Sequence, residues 1–127
     1  MHHSRLCALL IDCDTPDIDT AADFWAQALG RARDPAHPGT RGNYRMLETP
    51  PGEVLVQLQR VEHASRVHLD IETDDLEAEV TRLEALGARA IAFVRERWWV
   101  MQAPTGHRFC IAQKQRERFG LHLNSWE

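Results

Sequence analysis

The chain repeats itself. LLIDCDTPDI at 9–18 aligns with VHLDIETDDL at 67–76, an offset of 58 residues, and AQALG at 26–30 aligns with LEALG at 83–87, an offset of 57. In each half a strand-like run precedes a helix pattern, and further strand-like runs follow. Self-similarity of this kind constrains the fold more than any single motif, because the repeated unit must be one supersecondary block. The expected architecture is α+β, with two tandem βαβββ modules at about 5–61 and about 66–113 and a tail at 114–127. The 127 residues suffice for one domain with a core of its own.

Two helix patterns carry the repeat. In TPDIDTAADFWAQALG the apolar residues Ile18, Ala21, Ala22, Trp25, Ala28 and Leu29 recur with helical period; Thr15 or Asp17 can cap the start and Gly30 the end. In DDLEAEVTRLEALG the stripe is Leu76, Val80, Leu83 and Leu86. Asp74 and Glu77 have capping-box spacing there, and Gly87 supplies the stop. Strands are expected at 5–13, 43–49, 54–60, 66–73, 89–94, 98–103 and 108–113, with turns at TPPGE and APTGH. Segment 31–42, RARDPAHPGTRG, reads as a loop carrying a short edge strand. Phe119, Leu121, Leu123 and Trp126 are expected to anchor the tail to the body or to a second subunit.

Charge and composition narrow the function. A net charge of −4 argues against a general nucleic-acid binder, which shows a basic face. No apolar run reaches membrane-spanning length. The N-terminus shows no secretory signal pattern. Three cysteines without metal-type spacing suit a reducing cytoplasm better than a disulfide framework. His37, His63, His107 and His122 fall in loops or the tail, and His2 and His3 receive no role.

FWAQALG at 24–30, PPGEVLVQLQRV at 50–61, RVHLDIETDDLEAEVTRLEALGA at 66–88 and WVMQAPTGHRFCIA at 99–112 follow one another along the chain. Together they resemble the vicinal oxygen chelate superfamily, the glyoxalase, bleomycin-resistance and dioxygenase group, and most of all its small glyoxalase-like domains. The resemblance implies that the two modules curve into an open, cup-like sheet with helices outside; a homodimer is expected as well. It also implies, in metal-binding members, four ligands in the cup, two per module: His or Gln, Glu, His and Glu. They hold a divalent ion that polarises vicinal oxygens or activates dioxygen.

His68 falls at the family's second-module histidine, and its repeat partner is Leu10. Four residues after the turn glycine Gly106, where the family has Glu, stands Cys110. The same count from Gly52 reaches Val56, or Gln57 if the register slips by one. Only His68 and Cys110 are good donors, with Gln57 a third. Two donors do not hold a metal against water, so no metal site or other cofactor is expected, and a divalent metal is kept as the alternative.

Strand alternation adds the rest. If His68 faces the cup, so do Asp70 and Glu72, while Val67, Leu69 and Ile71 face the helix. In the first module Leu10, Asp12 and Asp14 face the cup, and Leu9, Ile11 and Cys13 the helix. Asp12 and Asp70 could form an acid–base pair. The competing expectation pairs each with an arginine such as Arg66, Arg108 or Arg60. His68 could be a neutral imidazole bonded to Asp70, Glu72 or a tyrosine, or a ligand-binding or proton-transfer group. Cys110 suits a small buried apolar role better than a nucleophilic one. Trp98, Trp99, Met101 and Phe109 divide between the space under the helices and the cup wall.

The leading expectation is a metal-free, small-molecule-binding protein holding a partly aromatic ligand through His68, Asp12, Gln57, Cys110 and Trp99. One alternative is a lyase, isomerase or dioxygenase using a reduced metal site or His68 and Asp70 as acid and base. A second is a non-enzymatic accessory or dimerisation module.

Overall fold

The computed structural model describes residues 1–114 and 122–127. It contains two helices and eight strands in an open, mixed α+β arrangement. In chain order these are β1 (His2–Asp14), α1 (Ile18–Leu29), β2 (Tyr44–Met46), β3 (Leu55–Val61), β4 (Arg66–Thr73), α2 (Leu76–Ala85), β5 (Arg89–Val94), β6 (Trp98–Gln102), β7 (Arg108–Gln113) and β8 (Asn124–Trp126). Contacts gather into two compact units, Ala8–His68 and Met1–Cys7 with Leu69–Glu127.

The unit Ala8–His68 orders its strands β2-β3-β1. Strands β1 and β3 run parallel, with Leu10 opposite Gln57 and Asp12 opposite Gln59, and β2 joins β3 antiparallel. Leu9, Ile11 and Cys13 turn toward α1, as alternation predicts. With Leu47, Val56 and Leu58 they pack against Ile18, Ala21, Ala22, Trp25 and Ala26. Ala22 is fully buried, a small side chain that lets the helix approach the sheet. Ala28 and Leu29 are exposed, so the stripe ends one turn earlier than its period suggests. Asp17 caps α1 by accepting from the Asp19 amide, and Gly30 closes it at φ 67°.

Segment 31–42 makes only the isolated bridges Arg33↔Leu47 and Arg41↔Tyr44. Its prolines lack the N–H that a ladder needs. Backbone hydrogen bonds from Asp34 to Met46 and from Glu48 to Ala32 hold it, beside the salt bridges of Arg33 to Asp19 and Asp23. Hydrogen bonds from Arg45 and Arg33 pull the Asp19 carboxyl down to about 2.

The other unit repeats the connectivity as β4-β7-β6-β5, with β4 parallel to β7 and the remaining pairs antiparallel. Its core joins Val80, Ala88, Met101 and Ile111 with Leu76, Leu83, Ala90, Trp99 and Phe109. Leu86 is exposed, because the chain turns away at Gly87, φ 103°. Strand β5 ends the order and carries a register shift between Ala90 and Ala92, with Ile91 and Phe93 exposed beside it.

Several expectations need correction. Val67 and Leu69 do not pack under α2; they are 52% and 46% exposed. Leu69 shares the helix-side row with Phe109 yet stays half exposed, while α2 packs on β5 and β7. Asp75, not Asp74, caps α2 by accepting from the Ala78 amide, while Asp74 takes the His3 amide and ring. Asp75→Ala is therefore expected to lower stability by about 1 kcal/mol in urea unfolding. Trp99 does not stand in a cup wall. Opposite Ile111 it belongs to the α2-side core, and it stacks on Phe93 at 4.9 Å.

His2, given no role by the sequence, is buried on α2 with its Nε2 2.9 Å from Glu79 Oε1. Glu79 is wholly buried and takes Arg82 through Nε and Nη2 at 2.8 Å each. Strand β8, which the sequence reading lacked, pairs with the start of β1. Its Trp126 lies over the Arg82 guanidinium and donates to Ser4 Oγ at 2.8 Å. Trp126 thus anchors the tail as expected; Phe119 and Leu121 lie outside the described residues.

Candidate functional site

Strand alternation leaves one face of the Ala8–His68 unit without a helix. Ile11 and Cys13 point into the α1 core, so Asp12 between them must point the other way. Its carboxylate is only 3% exposed and therefore needs partners inside the protein. His68, at the start of β4, supplies the first: His68 Nδ1 is 2.9 Å from Asp12 Oδ2. Arg66, two residues earlier on the same strand, supplies the second, its Nε 3.8 Å from the same oxygen. Asp12 Oδ1 is buried and has no hydrogen-bond partner among the described residues.

This arrangement orients the imidazole. An ionised Asp12 accepts the Nδ1 proton and leaves the lone pair of a neutral ring on Nε2. Such a ring can accept a hydrogen bond or a proton at a defined point. Neighbouring Cys13 points into the α1 core. Burial, and then the Asp12 charge, push its thiol upward.

Across the register, Gln59 stands opposite Asp12 and donates to the Tyr44 hydroxyl at 3.0 Å. One row away, Gln57 stands opposite both Leu10 and Met46 and donates from Nε2 to the Gly39 carbonyl at 3.0 Å. Segment 31–42 closes tightly over this end of the face. A Cβ on Gly39 would meet Gln57 Nε2 and Met46 Cε at 3.0 Å. His37 Nδ1 accepts the Gly39 amide at 2.8 Å.

The family-type metal set is not reproduced here. Leu10 has no donor atom. Val56 is buried in the α1 core, so the residue on the helix-free face is Gln57. Its amide nitrogen is committed to Gly39, and the Nδ1 of His68 to Asp12. Leu10 and Val56 offer no ligand atom on this face, so a metal here would need a donor set other than the family's.

The carboxylate on His68 Nδ1 is Asp12, a partner not among those the sequence offered. In the other unit, Asp70 and Cys110 are cross-strand partners on the face away from α2. Glu72 is buried there and takes Arg5 Nε at 2.5 Å. Arg108 and Arg60 do not pair with Asp12; Arg60 Nε donates to the Thr15 carbonyl. Sequence reasoning missed Tyr44, Gln59 and Gly39. Tyr44 and Gln59 could have been found by carrying the alternation of β1 across to its neighbours. A groove of about 540 Å3 lies in the unit that holds α2, lined by His2, Asp75, Glu77, Thr81 and Arg82 among others; neither Asp12 nor His68 lines it.

A family model described as a glyoxalase-like domain matches residues 9–112. Among solved structures, methylmalonyl-CoA epimerase from Mycobacterium tuberculosis is 16% identical with a TM-score of 0.63, over 88% of this chain and 89% of that one. A glyoxalase/bleomycin resistance protein/dioxygenase superfamily member from Vibrio splendidus 12B01 is 20% identical with a TM-score of 0.53, over 87% and 99%. A hypothetical protein from Bacillus halodurans C-125 is 14% identical with a TM-score of 0.63, over 90% and 96%. At such identities the likeness is one of fold. No curated protein gives a significant sequence match.

Proposed function

The chain belongs to the glyoxalase-like domain family, and from that membership we propose that it binds a small, oxygen-bearing molecule on the helix-free face of Ala8–His68, with His68 as polar anchor and without the family's metal ligands. The observation that carries this reading is the buried Asp12 carboxylate on His68 Nδ1. A side chain held by a buried carboxylate has little conformational freedom to lose on binding. Gln57, Gln59 and Tyr44 add polar groups on the same face. Trp99 no longer supports an aromatic ligand, since it packs under α2; Tyr44 is the ring on this face.

A second reading is proton transfer. Asp12, in place of the Asp70 expected from sequence, would hold His68 as a general base with Nε2 toward the substrate. A homodimer and a cytoplasmic location belong to the same proposal. The exposed Val67 and Leu69 would suit a subunit contact. No disulfide forms, and among the described residues no helix is long and apolar enough to cross a membrane.

The test is a thermal-shift screen of small hydroxy-, oxo- and carboxy-compounds on the wild type and His68→Gln. Hits that raise Tm in the wild type should lose the shift in the variant while its circular dichroism is unchanged. Hits indifferent to His68 overturn the reading. Elemental analysis showing about one metal per chain that vanishes in His68→Gln would remove its metal-free part.

A further inference from the structure

We propose that the groove along α2 is a second binding site, and that it takes a small organic cation bearing N–H donors, such as an ammonium. All the residues that line it belong to the unit that holds α2, and none is a group on which the reading of His68 rests. The helix period sets its floor. Ala78, Arg82 and Ala85 follow one another at spacings of four and three, so they form one stripe of α2, with Thr81 beside it. The start of β1 brings His2 to the same groove, whose volume is about 540 Å3. That falls in the range of small-molecule sites.

His2 is the observation that points to a ligand. Its side chain is 8% exposed, and yet it lines the groove. One ring nitrogen is accounted for: Nε2 is 2.9 Å from Glu79 Oε1. Arg82 donates to both oxygens of that carboxylate, so Glu79 is ionised and acts as acceptor, and the shared proton sits on Nε2. A neutral ring then carries a lone pair on Nδ1. Among the described residues Nδ1 makes no hydrogen bond. An acceptor on a nearly buried ring is unfavourable without a partner, and a donor arriving through the groove supplies one.

Charge selects among donors. Asp75 and Glu77 line the groove at the start of α2. Asp75 uses Oδ1 on the Ala78 amide, and Glu77 makes no side-chain hydrogen bond or ion pair among the described residues. Acids in a first turn also stabilise the helix through its dipole. That explains the two carboxylates, but not the open nitrogen of His2. Arg82, the cation on the stripe, is occupied: Nε and Nη2 are 2.8 Å from Glu79, and the guanidinium stacks on Trp126 at 3.9 Å. An acceptor nitrogen and two carboxylates therefore remain to meet a ligand, which is the complement of an ammonium. Ala78 and Ala85 stand about 10 Å apart along the helix axis, and their small side chains leave room for the apolar body of the ligand.

Benzylamine, a cation at neutral pH, serves as probe, and benzyl alcohol is its neutral counterpart of like shape. Both are titrated by NMR into isotope-labelled wild type, Glu77→Gln, His2→Gln and Glu84→Gln, with circular dichroism confirming that each folds. A glutamine in place of His2 can still donate to Glu79 but lacks the second ring nitrogen. Glu84→Gln removes the same charge from exposed α2 surface outside the groove. Shifts should concentrate at the amides of Ala78, Thr81 and Ala85. The wild type should prefer the amine by about 3-fold or more, the scale of exposed charge pairs. Glu77→Gln should narrow that preference, His2→Gln should weaken both probes, and Glu84→Gln should change neither. Equal affinity for amine and alcohol, shifts away from α2, or equal losses in Glu77→Gln and Glu84→Gln would each overturn the proposal. So would an absence of amine binding at about 10 mM, well above the weakest useful affinity. If His2→Gln does not fold, the Glu77→Gln and Glu84→Gln pair decides.

Discussion

Glu79→Ala is expected to lower the unfolding free energy by about 3–5 kcal/mol, the scale for breaking a buried ionic group by removing one partner. The carboxylate has no exposed surface, and its contacts come from three directions: Arg82 one turn along α2, His2 from the first strand, and Ser4 beside it. Removing it strands the buried His2 and the Arg82 fork together, and loosens the guanidinium over which Trp126 lies. Burial alone would raise the Glu79 carboxyl. The hydrogen bonds from Arg82, His2 and Ser4 outweigh it and hold the carboxyl below its ordinary value of 4.5. A group depressed in the folded state contributes its stability above its unfolded value and loses it as pH falls through the folded one. The gap between wild type and variant should therefore be full at neutral pH and shrink as pH drops below about 4.5. Urea unfolding at pH 7 and at pH 3–4 reads both. A loss under about 1 kcal/mol at neutral pH would mean that the cluster is loosely held.

Asp12→Asn should act on the site with little change in shape. Asparagine can still meet His68 Nδ1, but it can do so with its NH2 group, which turns the ring to the opposite tautomer and puts the proton on Nε2. Nitrogen chemical shifts of His68 should report a single Nδ1–H tautomer in the wild type and a mixture in the variant. Affinity for ligands bound through His68 should drop by about 10-fold or more, as when a partner that orients an imidazole is lost. An unchanged tautomer with unchanged affinity would reduce Asp12 to a packing role.

The sequence displayed the strands of the second module almost residue for residue, because each combines alternation with an explicit turn such as APTGH. It displayed the face on which Asp12, Leu10 and Gln57 lie for the same reason. Alternation states a side, however, and not what covers it. Val67 and Leu69 were placed correctly by row and still lie open, since the reach of α2 depends on helix position across the sheet. Partners were harder still. Asp12 and His68 are 56 residues apart, and local spacing offered Asp70 and Glu72 first. Glu79 in LEAEV looks like a solvent-facing helix residue. Its burial comes from His2, 77 positions away, and from a three-residue closing strand too short to leave a periodic signal.

Strand β5 raises a problem that the protein has to solve in solution. An edge strand with exposed Ile91 and Phe93 is a template on which another chain could lay a strand of its own. The register shift between Ala90 and Ala92 breaks the regular sequence of backbone donors and acceptors halfway along that edge, so an incoming strand would lose step after a few residues. Straightening the edge by deleting Ile91 would restore an unbroken ladder. The chain would then trade a local irregularity for a surface on which fibrils can start.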